Sequence, residues 1–399
     1  MSAITTDSPA TASAGGGLTF AMAVACGIAV ANIYYNQPML GVIERDFPAS
    51  TLPTLIPTAT QLGYAAGLFL VVPLGDLLNR RRLIVTQFLI LAVALAAAAI
   101  APTAALLLGA SLLVGVGATV AQQIVPFAAA LASPETRGRT IGTVMAGLLC
   151  GILFSRTLAG FVATAAGWRA MFWLGMPLAL VGALAMAILL PRAHRPATIG
   201  YGAALKSLAH LWVTEPTLRL ATLTQAGLFA SFTAFWTILV LHLQEPALHQ
   251  GAAVAGLFGI VGAVGVFAAP LAGRLADRRG PQLVIGLGAV VTLASWLVFA
   301  GWNSLLGLVA GVILLDFGVQ AAMVSHQHVI FALRPDARNR LNTIYMTGMF
   351  LGGSIGSAGA TAAWTAGGWM AVSALGGLFA LLALFLQAAF RRKPALCRA

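Results

Sequence analysis

Long apolar runs separated by short polar turns make up nearly the whole chain. Twelve runs cover residues 18–42, 54–76, 83–101, 104–132, 140–164, 169–190, 218–243, 252–276, 283–301, 304–333, 341–364 and 369–390. A helix rising 1.5 Å per residue needs about 20 apolar residues to cross a hydrocarbon layer. The pattern therefore predicts an all-α integral membrane protein with twelve transmembrane helices. The longest non-apolar connection, 191–217, falls between the sixth and seventh runs and holds Pro191, Pro196, a basic cluster and a predicted short amphipathic helix near 201–212. The expected organisation is a disordered N-terminal tail at 1–16, a six-helix bundle at 17–190, a linker at 191–217, a second bundle at 218–390 and a basic tail at 391–399.

The turns carry a second pattern. After the second run comes Asp76, a short turn, and Arg80, Arg81 and Arg82; after the eighth come Asp277, Arg278 and Arg279. Asp277 follows Asp76 by 201 residues, and the same offset takes Pro134, Arg137 and Arg139 to Pro335, Arg338 and Arg340, and Gly147, Gly151 and Trp168 to Gly348, Gly352 and Trp369. It also takes Met145 to Met346 and Tyr34-Tyr35 to Phe235-Trp236. The chain reads as a tandem duplication, so the two bundles are expected to be pseudo-symmetric.

Composition agrees with the membrane reading. Only 8% of residues are charged and 60% are hydrophobic, whereas a water-facing surface needs roughly 25–35% charged residues. The formal charge of +12 raises the question of nucleic acid. Placement answers it: with the N-terminus inside, all of the 22 lysines and arginines except Arg45, Arg156 and Arg169 fall on cytoplasmic segments. By the positive-inside rule both termini are cytoplasmic, in the cell inner membrane, and the arginines are topology anchors. Three cysteines without a spacing pattern predict neither a disulfide framework nor a metal site, and no cofactor is expected. The first apolar run is too long, and its leader too poor in basic residues, for a cleavable signal peptide.

Two six-helix halves, a cytoplasmic linker and an Asp-Arg turn after the second helix of each half resemble the major facilitator superfamily. Its loop pattern, Gly-x-Leu-Ala-Asp-Arg-x-Gly-Arg-Arg, is matched in the second half by Gly273, Leu275, Asp277, Arg278 and Gly280. The first half keeps Leu74, Asp76, Arg80 and Arg81, while Val72, Leu77 and Asn79 replace the first glycine, first arginine and second glycine. The first helix, around Asn32-Ile-Tyr-Tyr-Asn-Gln-Pro, and the Arg137-Gly-Arg loop are similar to the arabinose-efflux-type and drug–proton antiporter branch. That branch's fifth-helix signature, Gly-x-x-x-Gly-Pro, is present as Gly147 and Gly151, but Ile152 stands where proline would be. The resemblance implies a secondary transporter. Proton-coupled efflux of a small organic solute is the leading expectation, and symport or facilitated uptake of a sugar or organic acid remains open. A non-transporting receptor or scaffold is the lower alternative. No nucleophile elbow, His-Glu-x-x-His helix or ATP-binding Gly-x-x-x-x-Gly-Lys loop occurs, so an enzyme or a primary pump is not expected. The expected partners are the substrate, protons as coupling ion and the bilayer, with the chain acting as a monomer.

Candidate residues follow from polar side chains inside apolar runs. Asp316 lies mid-run, where a charge costs about 2.5–3.5 kcal/mol, so it is expected to face a cavity or a partner. Gln320, Met323 and Gln327 continue its face, and Gly115, Thr119, Gln122 and Pro126 form the repeat-related stripe. Arg156 is the second intramembrane charge, at similar depth; the repeat partners of the two are Ser357 and Gly115, so neither charge is duplicated. Either the two form a proton-coupling pair across the cavity, or they make static buried contacts. Asn32, Tyr35, Asn36 and Met39, with Thr233, Trp236 and Thr237, are expected on the substrate wall, or in helix packing; Gln61, Tyr64, Gln225 and Tyr345 are further candidates. His326 and His328, two residues apart, point to different faces and do not form a metal-binding pair. The family resemblance implies that Asp76, Arg80, Arg81 and Arg340, with Asp277, Arg278 and Arg139, latch the cytoplasmic gate when the opposite face is open. In the plain alternative the two acids only cap their own loops.

Overall fold

The computed structural model describes residues 16–133, 135–191, 200–334 and 337–391. Most of both predicted tails, Arg192 and Arg195 of the linker, and the Pro134–Pro335 pair lie outside them. The first six spans are Gly16–Asp46, Leu52–Asp76, Arg80–Ala99, Ala104–Leu131, Arg137–Ala166 and Trp168–Leu189. After the amphipathic helix Tyr201–Thr214, span 7 is Pro216–Leu243, span 8 joins Ala252–Gly262 to Val264–Arg279, span 9 is Pro281–Gly301 and span 10 is Leu305–Leu333. Helix Arg338–Arg391 holds spans 11 and 12, divided where Gly367 and Gly368 leave helical geometry. The described residues thus form the expected twelve spans.

Local chemistry repeats between the halves. Thr103 accepts a hydrogen bond from the Leu106 amide at the start of span 4, and its counterpart Ser304 accepts from the Gly307 amide at the start of span 10. Each satisfies one amide that a helix N-terminus leaves open. Gly167 and Gly368 both take positive φ, +82° and +59°, at the sharp turn into spans 6 and 12. Asn79, which departs from the family pattern, caps span 3 by accepting from the Arg82 amide. Spans 3, 5 and 11 begin at Arg80, Arg137 and Arg338 rather than three residues later as the apolar pattern predicts. Hydrophobicity marks where hydrocarbon starts, but arginine is a good helix former and the helix runs on into water.

The duplication is real but not gapless. Gly151 packs on Gly27, while its counterpart Gly352 packs on Ala226. The spans that supply the glycines are offset by 201, but the spans they pack against are offset by 199. Ser231, which donates to the Gly376 carbonyl, likewise stands 199 residues after Asn32, which packs beside Gly175. Asn32 therefore corresponds to Ser231, and Tyr35 to Ala234. The pairing of Tyr34-Tyr35 with Phe235-Trp236 is overturned: the connection from span 7 to span 8 is two residues longer than that from span 1 to span 2. At the contact itself, a Cβ on Gly151 would stand 2.3 Å from the Gly27 carbonyl oxygen. Such close approach lets helices associate where lipid supplies no hydrophobic drive.

Candidate functional site

Two cavities lie between the halves and share Gln122, Val125, Ile141, Phe331 and Asn342 on their walls. The inner one, about 430 Å³, is walled by Tyr34, Phe229, Phe232 and Phe350, by the repeat-related Met145 and Met346, and by Arg156 and Asp316. The outer one, about 400 Å³, reaches Asp76, Arg80, Arg338 and Arg340. Sharing those walls, they form one hollow whose outer part lies at the arginine-bearing end of the molecule.

The other end is closed across the halves. Thr58 donates to Ser357 (2.9 Å), and Ser357 accepts from Thr237 (3.0 Å). Thr361 donates to the Thr54 carbonyl and Thr157 to the Gly256 carbonyl. Beside them Gly160 meets Ala252 so closely that a Cβ would stand 2.4 Å from its carbonyl oxygen.

The two intramembrane charges share the inner cavity. Arg156 lies ten residues before the end of its span (166 − 156) and Asp316 eleven after the start of its own (316 − 305), so their depths agree. They form no ion pair within 4.0 Å. Arg156 Nε donates to Gln37 Oε1 at 3.0 Å, and its guanidinium packs on the faces of Trp236 (3.8 Å) and Tyr34 (4.6 Å). Asp316 stands beside the edge of the Trp236 ring, next to space left open because residue 262 is glycine. A Cβ there would lie 3.0 Å from Trp236 and 3.1 Å from Asp316 Oδ1. Among the described residues Arg156 Nη2, Asp316 Oδ2 and Trp236 Nε1 are buried and make no hydrogen bond of normal geometry, although the indole N–H stands near the Asp316 carboxyl. Unpaired buried polar atoms are costly, and two of these, on Arg156 and Asp316, belong to residues that line the same cavity.

Among the sequence-predicted wall residues, Gln122 and Gln320 lie on the cavity, Gln122 donating to the Tyr64 hydroxyl (3.2 Å). Trp236 stacks on Arg156 and adjoins Asp316. Five others point into the bundles. Asn32 donates to the Ile28 carbonyl (2.7 Å), Tyr35 packs against Gly175, and Asn36 donates to Thr60 Oγ1 (2.8 Å). Thr119 accepts from Gln87 (3.0 Å), and Thr233 donates to the Gly353 carbonyl (2.8 Å). For the first three the cause is a break in span 1. Residues 32–35 form a turn in which the Ile33 and Tyr34 amides bond three residues back. Three residues per turn instead of 3.6 rotates the following positions, so Tyr34 rather than Tyr35 reaches the cavity. Gln37 and Phe232 went unnoticed in the sequence; Gln37 was visible as a polar residue in an apolar run, and Phe232 carried no signal.

At the arginine end, Asp76 bonds to Arg80 (2.8 Å) within its own loop. Arg80 Nε donates to the Gly75 carbonyl, and Arg81 to the Ala187 carbonyl. Arg340 faces Asp76 across the outer cavity without touching it. Asp277, Arg278 and Arg139 are exposed and have no side-chain partner among the described residues. In the second half, Pro281 stands four residues after Asp277, where the first half has Arg80 after Asp76. His326 is buried and bonds to Gln225 (3.2 Å).

Comparison with known proteins fits this architecture. The model of the Major Facilitator Superfamily matches residues 20–333 and 222–396. The uncharacterized transporter YgaY of Escherichia coli O157:H7 is 40% identical over 367 residues, covering 92% of this chain and 93% of its own. A multidrug resistance protein B homolog of Mycobacterium tuberculosis is 26% identical over 406 residues, covering 84% and 74%. The crystal structure of a peptide transporter, POT, in complex with sulfate superposes with a TM-score of 0.73 over 94% of both chains at 14% identity, a likeness of fold. With both halves matched and a transporter of such identity aligned along nearly the whole length, this chain is a member of the major facilitator superfamily.

Proposed function

We propose that this transporter exports a small organic solute across the cytoplasmic membrane in exchange for protons, by alternating access to the cavity around Arg156 and Asp316. The observation that carries the reading is a pair of opposite charges that form no ion pair with each other, in a hollow reaching the arginine-bearing end and shut off by cross-half contacts at the other. The arginine-rich turns put that open end in the cytoplasm, so the conformation is inward-open. Asp316 is the proposed proton site: its carboxyl faces the hollow, and in an apolar cavity it is neutralised either by a proton or by a ligand cation, but not by both. Exclusive occupancy of one group by proton or substrate is what couples their opposite movements. Arg156, fixed by Gln37 and Trp236, holds the field in which that exchange occurs. Asp76 and Arg340 form the cytoplasmic latch in the opposite state, when the outer cavity between them closes. Similarity to a multidrug resistance protein homolog supports export. Ile152, at the position of the antiporter branch's proline, favours a second reading, proton symport of a sugar or organic acid.

Accessibility tests the alternating cavity. In proteoliposomes of a background lacking native cysteines, Gln320→Cys should react with an impermeant maleimide from the cytoplasmic side, and from the outer side once the far end is opened. Blocked access from both sides under all conditions would leave a scaffold. For coupling, solute movement under an imposed proton gradient should be lost in Asp316→Asn. Wild-type proton-driven rates in that variant would end the coupling role, and the direction of movement separates export from uptake.

A further inference from the structure

The cavity holds one fixed cation and one fixed anion that do not touch. Arg156 and Asp316 are each more than nine-tenths buried, and each keeps one polar atom, Nη2 and Oδ2, without a partner. The indole of Trp236 neighbours both, packed on the guanidinium at 3.8 Å and bordering the same Gly262 gap as the carboxylate. Gln37 fixes the Arg156 side chain from behind. No other Asp, Glu, Lys, Arg or His lines the inner cavity. Its remaining walls are uncharged: Phe229, Phe350, Met145 and Met346 form a large apolar part, and Gln122 and Gln320 add neutral polar groups.

Two separated opposite charges select a ligand by its own charges. A ligand with a single charge satisfies one of them, leaves the other bare, and brings net charge into a low-dielectric site. An uncharged ligand satisfies neither. A ligand with both signs on one short frame satisfies both and keeps the site neutral. We infer that the substrate is an amphipathic zwitterion: its ammonium on Asp316, its acid group on Arg156, and an apolar, ring-bearing body against the phenylalanines and methionines. This rests on the transport reading above and deepens it, because the ammonium takes the position that the proton would otherwise hold.

Four charge forms of one dipeptide, Phe-Leu, test this by titration calorimetry on the full chain in nanodiscs. They are the free zwitterion, the C-terminal amide (cation), the N-acetyl form (anion) and the N-acetyl amide (neutral). The zwitterion should bind about tenfold or more tightly than each of the others. Asp316→Asn should move the preference to the anion and Arg156→Gln to the cation, while Arg156→Lys keeps the wild-type order. Equal binding of all four, no binding of any, or a stronger singly charged form overturns the assignment, as does a ranking that folded variants leave unmoved. Should the variants fail to fold, the wild-type ranking decides alone. If no zwitterion preference appears while Gln320→Cys alternates in access, only this inference falls; if access does not alternate, the transport reading fails with it.

Discussion

The guanidinium of Arg156 lies 3.8 Å from the centroid of the Trp236 ring and faces that ring rather than Asp316. A cation on an aromatic face gains about 0.5–2 kcal/mol, more as water is excluded. With Gln37 the ring holds the guanidinium, and the two charges line one cavity without forming an ion pair.

Replacing that ring should change how reactive the carboxyl is. With Trp236→Leu the stacking is lost, and about 1 kcal/mol shifts the balance toward an Arg156–Asp316 ion pair by roughly fivefold. Labelling of Asp316 by a hydrophobic carbodiimide should then fall by a similar factor, while Trp236→Phe, which keeps a ring, should fall between. Unchanged labelling in the leucine variant would mean that stacking on the indole does not decide whether the pair forms.

The closed end depends on backbone contact between spans 5 and 8. A side chain at Gly160 meets the Ala252 carbonyl oxygen, and one at Gly256 meets that of Arg156, 2.7 Å from a Cβ. Overpacking of this kind costs about 1–3 kcal/mol, charged here only to the conformation in which this end is shut. Gly160→Leu should therefore raise labelling of Gln320→Cys from that side by roughly 5–150-fold and lower it from the arginine end. Labelling unchanged from both sides would show that the contact does not gate access.

Much of this was legible in the sequence. Run length against bilayer thickness gave the twelve spans, and the Asp76 and Asp277 turns gave the two halves. Arg156 and Asp316 stood out because isolated charges in hydrocarbon are costly. What could not be read was side-chain direction. A helical face projected through Asn32, Tyr35 and Asn36 assumes 3.6 residues per turn, and the turn at 32–35 breaks that count. The chance alignment of Tyr34-Tyr35 with Phe235-Trp236 concealed a two-residue difference between the halves. Only the packing of Gly27 under Gly151, and of Ala226 under Gly352, exposes it. The third member of the charge site, Trp236, was picked as a ligand-facing aromatic, whereas its role depends on Gly262, a residue with no side chain to notice.

The Asp76 latch makes a prediction of unequal effects. In the present conformation its only ion pair among the described residues is with Arg80, and its side chain is 56% exposed. An exposed pair is worth about 0–1 kcal/mol, so Asp76→Ala should leave thermal stability nearly unchanged. The state in which the arginine end closes should suffer more, since there the carboxylate would meet the start of span 11 near Arg340. Gln320→Cys should then be labelled from the arginine end at least as fast as in the parent and more slowly from the other side. Equal labelling from both faces would remove the latch.

The amphipathic helix Tyr201–Thr214 touches both halves at the open mouth. Its Leu208 and Leu211 pack into a cluster with Ile330, Leu341 and Ile344 of the second half, while the Tyr201 hydroxyl donates to the Leu70 carbonyl of the first at 2.8 Å. Closing the mouth changes the spacing of the halves there, so one of these attachments must slide or break. The hydrogen bond is the weaker, at about 0.5–1.5 kcal/mol, against about 1.5–3 kcal/mol for each fully buried leucine. Tyr201→Phe should thus destabilise the open-mouthed state slightly, moving spin-label distances between Leu78 and Arg334 toward shorter values. Leu211→Ser, which frees the helix from the second half, should broaden that distribution and lower the melting temperature. If Tyr201→Phe leaves the distances as they are, the helix rides with the second half alone and does not bridge the mouth.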